Sequence, residues 1–500
     1  MFPVLEGLLI VSLAELLLWT LPIWKARRIA AISFAAALAA GSLALLVMDP
    51  AAWTALIALL TVYRCMNLAR VAAGRVQEDY LFHASRRTAA WLIIWQAAVA
   101  GMAVLSRHYG IGPAEWWALT AAVVLIGSDI ILFTSTRNLR AARPPELTRP
   151  FTDKELPALT VAIPARNETE DLEECLRSLI ASTYPKLEIL VLDDCSQNKR
   201  TPEIIRGFAH AGVRFIAGDE PPKSWLAKNF AYDKLADEAS GDVLLFCGVD
   251  VRFKPGSLDA LVRTLLQKKK GMISILPHNT EPRRGGLSSW FMQANRYAWE
   301  LTLPRRMVRR PPVLSTCWLI HRQALERAGG FEAVRRRGVP ESYFARALAD
   351  IKGYGFLMSG PAMGVSSVKA PREQRATAIR TRYLQMHRRP EMTALVGLAE
   401  SAVLVMPFAL LAASLVVGQW LTAGLSALSI IANVMVYSRI FNLTYRRFLL
   451  KGLWLLPFAA LYDVWLLNYS MWRYEFRDVI WKGRNVCIPV MRVIPKLPEA

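Results

Sequence analysis

The sequence predicts an α/β domain, a mainly parallel sheet with helices on both faces, set between two groups of transmembrane helices. Three observations carry the prediction. The chain combines 54% hydrophobic with 20% charged residues, its long apolar runs sit at the two ends, and its polar middle alternates short strands with helices. So much apolar surface exceeds what a water-exposed chain carries, and so much charge exceeds a bilayer bundle, so the chain divides between two solvents.

The N-terminal part holds five apolar segments, at 4–22, 29–48, 51–63, 89–106 and 115–135, and three more follow the middle at 395–417, 420–437 and 452–471. A crossing needs about 20 apolar residues, which leaves 51–63 short and the others adequate. The opening segment lacks a basic leader and is read as a retained span. Loops 23–28 and 64–88 carry Lys25, Arg27, Arg28, Arg64, Arg70, Arg75, Arg86 and Arg87, whereas 49–50 and 107–114 carry only Arg107 and His108. Basic loops face the cytosol, which puts the N-terminus outside and residue 136 inside. The expected organisation is a membrane region at 1–135, a cytosolic domain at 136–391 and a membrane or interfacial region at 392–500. The chain is thus expected as a multi-pass protein of the cell (inner) membrane. Three C-terminal crossings would leave 472–500 outside, yet Arg473, Arg477, Lys482 and Arg484 argue for a cytosolic tail. One segment is then re-entrant or interfacial, and 395–417, with Glu400 and Pro407, is the expected one.

The net charge of +21 raises nucleic acid as a partner. Much of the excess flanks apolar runs, where it attracts anionic headgroups, so no nucleic-acid partner is expected. The cysteines, at 65, 175, 195, 247, 317 and 487, show no metal-ligand or disulfide spacing, which suits a reducing compartment.

In the middle, Leu159–Ile163, Leu187–Leu192 and Val243–Cys247 are short apolar runs, alternating with helical patterns at Glu170–Ser182 and Leu258–Gln267. The alternation predicts parallel strands, with ligands collecting beyond their carboxyl ends. Arg140–Pro150, with its prolines, reads as the linker from the membrane.

Four clusters fall at or near those strand ends. Pro164-Ala165-Arg166-Asn167-Glu168 offers hydrogen bonds to a base or ribose, or simply caps the next helix. Asp193-Asp194-Cys195-Ser196 pairs two carboxylates that repel unless donors or a cation neutralise them, as base N–H groups or ribose hydroxyls do. The alternative is an Asp-capped turn. Ser224-Trp225-Leu226-Ala227-Lys228-Asn229 places a Lys where it can neutralise a diphosphate or merely sit solvated. Gly248-Val249-Asp250 ends an apolar strand with a carboxylate suited to Mg²⁺ or Mn²⁺ on phosphate oxygens, or to a plain turn.

Together these resemble the family 2 glycosyltransferases: Pro-x-x-Asn-Glu, Asp-Asp-x-Ser, Trp-x-x-Lys-Asn and a strand-end Asp, in that order. The resemblance implies the GT-A nucleotide-sugar-binding fold. It places Pro164, Asn167, Glu168, Asp193 and Asp194 around the nucleoside, Lys228 on the diphosphate and Asp250 on a divalent cation. Gly248 departs from the family's Asp-x-Asp. Further on, Gly329-Gly330-Phe331 matches the family's Gly-Gly-Phe turn. Registering Ala345-Arg346-Ala347-Leu348 on the next helix puts Pro340 and Glu341 at the family's Glu-Asp, with Glu341 as the general base of an inverting transfer. Gln385 and Arg388 match part of Gln-x-x-Arg-Trp. The similar Gln293-Ala294-Asn295-Arg296-Tyr297 precedes the Gly-Gly-Phe turn, and 286–310 reads as an amphipathic interfacial segment.

Tyr437-Ser438-Arg439, Asp463 and Trp481-Lys482-Gly483-Arg484 resemble the ends of hopanoid-associated, carotenoid and ceramide-type lipid glycosyltransferases. With Gln385 and Arg388, the resemblance groups Trp481 and Arg484 on the acceptor and diphosphate side. It implies a nucleotide-sugar donor, UDP-linked, and a membrane lipid acceptor. A processive polysaccharide synthase is the alternative enzyme; a transporter or an inactive scaffold is the alternative from another class.

Overall fold

The computed structural model describes residues 2–20, 24–48, parts of 50–65 and 96–104, and then 106–148, 151–279, 298–302, 311–360, 363–369, 371–386, 388–444, 454–476 and 479–487. Ahead of the sheet stand α1 (Phe2–Thr20), α2 (Trp24–Met48) and α3 (Pro113–Ala141). Among the strands lie α4 (Glu170–Ile180), α5 (Arg200–Gly207), α6 (Ala227–Glu238), α7 (Ser257–Gln267), α8 (Ala298–Thr302), α9 (Arg322–Arg327) and α10 (Pro340–Asp350). After them come α11 (Pro371–Gln385), α12 (Pro390–Leu404), α13 (Met406–Val417), α14 (Trp420–Thr444) and α15 (Leu456–Glu475).

The strands follow the apolar runs. β1 (Leu159–Ala165), β2 (Leu187–Asp193), β3 (Val213–Ala217) and β4 (Val243–Cys247) form one half of a sheet. β5 (Val251–Phe253), β6 (Met272–Leu276), β7 (His278–Asn279), β8 (Cys317–His321), β9 (Tyr354–Met358) and β10 (Val365–Ser367) follow, with β11 (Ile480–Trp481) and β12 (Arg484–Asn485) as a terminal hairpin. The main sheet has seven strands in the order β3-β2-β1-β4-β8-β6-β9. All its neighbours are parallel except β8, which is antiparallel to β4 and β6. The sheet is thus mixed but mostly parallel, like a GT-A sheet. The order reverses at β1, so the crevice beyond the carboxyl ends of β1 and β4 is where such a sheet takes a ligand.

Alternation along β1 builds two cores. Leu159, Val161 and Ile163 join Leu172, Leu176 and Leu179 of α4 and Leu258, Leu261 and Leu265 of α7. Ala162 faces the other way, into a cluster with Tyr232 of α6, Phe246 of β4, Trp318 of β8, Phe331, and Phe344 of α10. Phe246 stacks on Trp318 with centroids 4.5 Å apart, and Phe331 meets Phe344 edge to face at 5.4 Å. Each buried aromatic is worth roughly 1.5–3 kcal/mol. This aromatic core therefore fixes α6 and α10 side by side, and with them Lys228 and Glu341.

The described residues fall into two compact units, one holding Met1–Ala121 and Met386–Leu398, the other Ala122–Gln385 and Ala399–Ile488. In the first, α1 and α2 pack through Leu8, Leu38 and Leu45. Among the described residues, Ala114–Ala141 and Trp420–Ile440 are long and apolar enough to cross a membrane. Met392–Leu404 and Met406–Val417 qualify together but are bent by 45°, at a break beside Pro407. One expectation needs correcting. The segment 452–471 becomes part of α15, which is not among the helices apolar enough to cross, because Asp463, Asn468 and Arg473 dilute its hydropathy. Six of the thirteen residues of 51–63, most of 89–106, Gln293–Tyr297 and most of 286–310 lie outside the described residues.

Candidate active site

The carboxyl ends of β1 and β2 are tied by one buried cation. Arg166, 4% exposed, donates to the backbone oxygens of Asp194 at 2.5 Å and Cys195 at 2.7 Å. Asn167 takes a left-handed φ of 51°, which Asn tolerates better than most residues. Its N–H donates to Ser196 Oγ at 2.9 Å, and its Oδ1 accepts from Gln197 N at 2.8 Å. Pro164 sits in register opposite Leu192, where the strand still runs straight. Glu168 donates its N–H to Thr201 Oγ1 at 2.9 Å. Asp193 accepts from Ser196 N at 3.2 Å. Asn167, Glu168, Asp193 and Asp194 thus converge on one edge.

The terminal hairpin lies on that edge. Lys482 (φ 46°) and Gly483 (φ 81°) make its turn, a conformation suited to a tight hairpin. Arg166 Nε donates to Lys482 O at 3.0 Å, Lys482 Nζ pairs with Glu168, and Arg484 binds Asp194 Oδ1 at 2.6 Å and Glu220 Oε1 at 2.9 Å. Burial pushes the Asp194 carboxyl above its ordinary range, against the hydrogen bond from Arg484. Glu168 is raised in the same way, against Lys482. The resemblance groups Arg484 with Gln385 and Arg388 on the acceptor and diphosphate side. Arg484 sits at Asp194, since a nearly buried carboxylate demands a cation.

A second cluster forms where α6, α10 and α11 meet. Asn229 of α6 is buried and donates through Nδ2 to Val334 O at 2.7 Å and Arg337 O at 2.8 Å, so it holds the loop that leads into α10. Pro340 and Glu341 open that helix. Glu341 is 2% exposed, and its Oε2 lies 3.7 Å from Lys228 Nζ, beyond hydrogen-bond reach, with no hydrogen-bond partner. Lys228 also stands 5.1 Å over the Tyr232 ring, and burial lowers its pKa against the pull of Glu341. Arg380 of α11 interacts electrostatically with Glu341, Tyr232 and Asp250, and stands 4.8 Å over the ring of Trp481. Trp481 therefore borders this cluster while Arg484 belongs to the other. The hairpin bridges the two.

Asp250 follows β4. Its Oδ2 accepts from Ser367 Oγ at 2.9 Å and lies 4.0 Å from Lys369 Nζ. A Cβ at Gly248 would stand 2.5 Å from Asp250 Oδ1, so the glycine makes room for that carboxylate to fold back. Among the described residues no three His, Cys, Asp or Glu side chains gather as a metal cage. A single carboxylate does fit a divalent cation that takes its other ligands from phosphates and water.

Gln385 ends α11 with its Oε1 buried and unbonded, and Arg388 belongs to the other compact unit. Sequence reasoning overlooked Arg380. An arginine-rich helix reads as a solvated face, and only packing shows that Arg380 turns toward Glu341 and Arg382 toward Asp463.

Residues 160–329 match the model of Glycosyl transferase family 2. The chain carries a family 2 glycosyltransferase domain. The 4,4'-diaponeurosporenoate glycosyltransferase of Staphylococcus haemolyticus is 33% identical over 124 residues, 24% of this chain and 32% of that protein. Glycosyltransferase AglE of Haloferax volcanii is 36% identical over 99 residues, 19% of this chain and 31% of that protein. The chain thus spans about a third of the length of these curated relatives. Among solved structures, the mannosyltransferase PcManGT from Pyrobaculum calidifontis in complex with GDP-Man and Mn²⁺ is similar at 18% identity and a TM-score of 0.45, over 72% of this chain and 99% of its own. The family 2 match takes in the β1, β2 and β4 edges and Lys228. It stops before Glu341, Arg380 and the hairpin.

Proposed function

We propose that this chain transfers a sugar, with inversion, from a nucleotide donor, a UDP-sugar, to a lipid acceptor at the cytosolic face of the membrane. The observation that carries the reading is Glu341, a buried carboxylate with an unbonded oxygen, held beside Lys228 and Arg380 in a chain that carries a family 2 domain. An acceptor hydroxyl would donate to that oxygen. As the acceptor oxygen attacks the anomeric carbon, the bond from that carbon to the diphosphate breaks, the electron pair leaves with the diphosphate, and the proton passes to Glu341. Lys228 and Arg380 would neutralise the departing diphosphate, and Pro164, Asn167, Glu168, Asp193 and Asp194 would border the nucleoside. Gln385 and Arg388 remain assigned to the acceptor and diphosphate side. Asp250 would hold Mg²⁺ or Mn²⁺, which supplies further charge to the phosphates. The apolar helices and the relative named for 4,4'-diaponeurosporenoate support an apolar acceptor.

Glu341→Gln keeps the shape of the side chain but cannot take the proton. Purified protein carrying it should bind a UDP-sugar normally while transfer to extracted membrane lipid falls about 10²–10⁴-fold. Transfer at the wild-type rate would remove Glu341 from the mechanism. Failure of the wild type to consume any nucleotide sugar would remove the function.

A further inference from the structure

α15 turns an apolar stripe outward. Trp454, just ahead of it, is 85% exposed, and Phe458, Leu461, Trp465 and Trp472 are 60%, 49%, 44% and 43% exposed along one side. Their spacing keeps them on a single helical face. Arg375 stands 5.4 Å over the Trp465 ring, and Arg473 stands 5.7 Å over that of Tyr469.

The opposite face packs against the sheet unit at both ends, and against Leu404 and Glu400 of α12 and Val436 and Tyr437 of α14 between them. At its start, Leu456, Ala459 and Ala460 share a cluster with Leu276 of β6 and Phe356 and Met358 of β9. Further on, Asp463 pairs with Arg382 of α11 at 2.6 Å, both nearly buried. Towards its end, Tyr474 donates to Arg380 O at 2.7 Å, and Glu475 accepts from Tyr383 Oη at 2.6 Å.

A helix of this length is about 30 Å long, so a crossing would carry its two ends to opposite sides of a bilayer. Both ends of α15 instead touch the same α/β unit. The helix it lies along, α11, carries Arg372, Glu373, Arg375, Arg380 and Arg382, which have no place in hydrocarbon. The start of α15 also packs with Leu139 of α3 and Ile440 of α14, near the C-terminal ends of the two helices long and apolar enough to cross. If those helices cross a bilayer, that contact sets the face of α15 level with the place where they leave it. Tryptophans flanked by arginine suit the headgroup boundary.

We propose that α15 lies flat on the membrane, with its Trp454–Trp472 face seated in the lipid headgroup boundary on the side of the sheet. The pair α12–α13 and the helix α14 then take the chain out and back, and the basic hairpin returns to the sheet without a third crossing.

The test uses full-length protein in phosphatidylcholine–phosphatidylglycerol bilayers, with accessible cysteines replaced and single nitroxides at Phe458, Leu461 or Asn468. These sites lie on the exposed face, away from the α11 contacts. Collision with oxygen and with a polar nickel reagent should place all three at one shallow depth, about 5–10 Å into the boundary. Depth that changes steadily from 458 to 468 means a crossing and overturns the proposal. So does free access of the nickel reagent at all three sites. Exclusion of both reagents together with spin–spin broadening means a second copy covers the face, and overturns it as well.

Discussion

At the residue scale, single atoms decide what each carboxylate does. Glu341 and Asp194 are both nearly buried, yet Asp194 is bound by Arg484 while one oxygen of Glu341 accepts no hydrogen bond. A buried unbonded acceptor is costly, and the Lys228 ammonium 3.7 Å from that oxygen offsets part of the cost. Asp250 has no carboxylate partner at 248, so a cation there would depend on the donor's phosphates. EDTA should therefore abolish transfer, with Mg²⁺ or Mn²⁺ restoring it; full activity in EDTA would leave the neutralising role to side chains such as Lys228 and Arg380. Asp233 offers a pH test outside the site. Burial, with Asp237 and Glu332 nearby, pushes its pKa from 3.8 up to about 6. A raised carboxyl favours the protonated folded form, so its stabilising contribution is full below its unfolded pKa of about 4 and is lost as pH rises through about 6. Asp233→Asn should match the wild-type melting temperature at low pH and exceed it at neutral pH. Equal melting temperatures at both would mean the carboxyl is not raised.

At the element scale, the terminal hairpin is the decisive piece. It links Arg380 through Trp481 to Asp194 through Arg484, and the latter contact joins residues 290 positions apart. Removing one partner of a buried pair costs about 3–5 kcal/mol, because the other charge is left unpaired. Arg484→Ala should detach the hairpin, seen as faster amide exchange across 479–487. Arg484→Ala combined with Asp194→Asn should exchange more slowly than the single variant, since the orphan charge is gone. Unchanged exchange in Arg484→Ala would mean that Arg166 and Lys482 suffice to hold the hairpin.

At the scale of the whole molecule, the hairpin and the sheet must share one side of the membrane, because they pack together. Asn485→Cys on the hairpin and Ile351→Cys at the end of α10 are both exposed positions. In intact cells a membrane-impermeant thiol reagent should spare both, and permeabilisation should expose both. Labelling of position 485 alone would separate the tail from the domain.

Much of this was legible from local pattern. The division between apolar ends and polar middle, the runs that become β1, β2 and β4, and the polar clusters at their ends all follow from the periods of strands and helices, which a few neighbouring residues set. The sequence by itself therefore determined the α/β domain and the edge where Asn167, Glu168, Asp193 and Asp194 meet. Other features depended on which surfaces meet. The stretch 452–471 reads as a span because apolar residues outnumber Asp463 and Asn468, and only packing shows that one of its faces covers β6, β9 and α11. Arg380 looks like any surface arginine until Trp481 closes over it. Arg484 found Asp194 because a carboxylate buried by the fold must take a cation from wherever the chain brings one. Such pairings between distant residues leave no periodic trace in the sequence, and only the tertiary structure decided them.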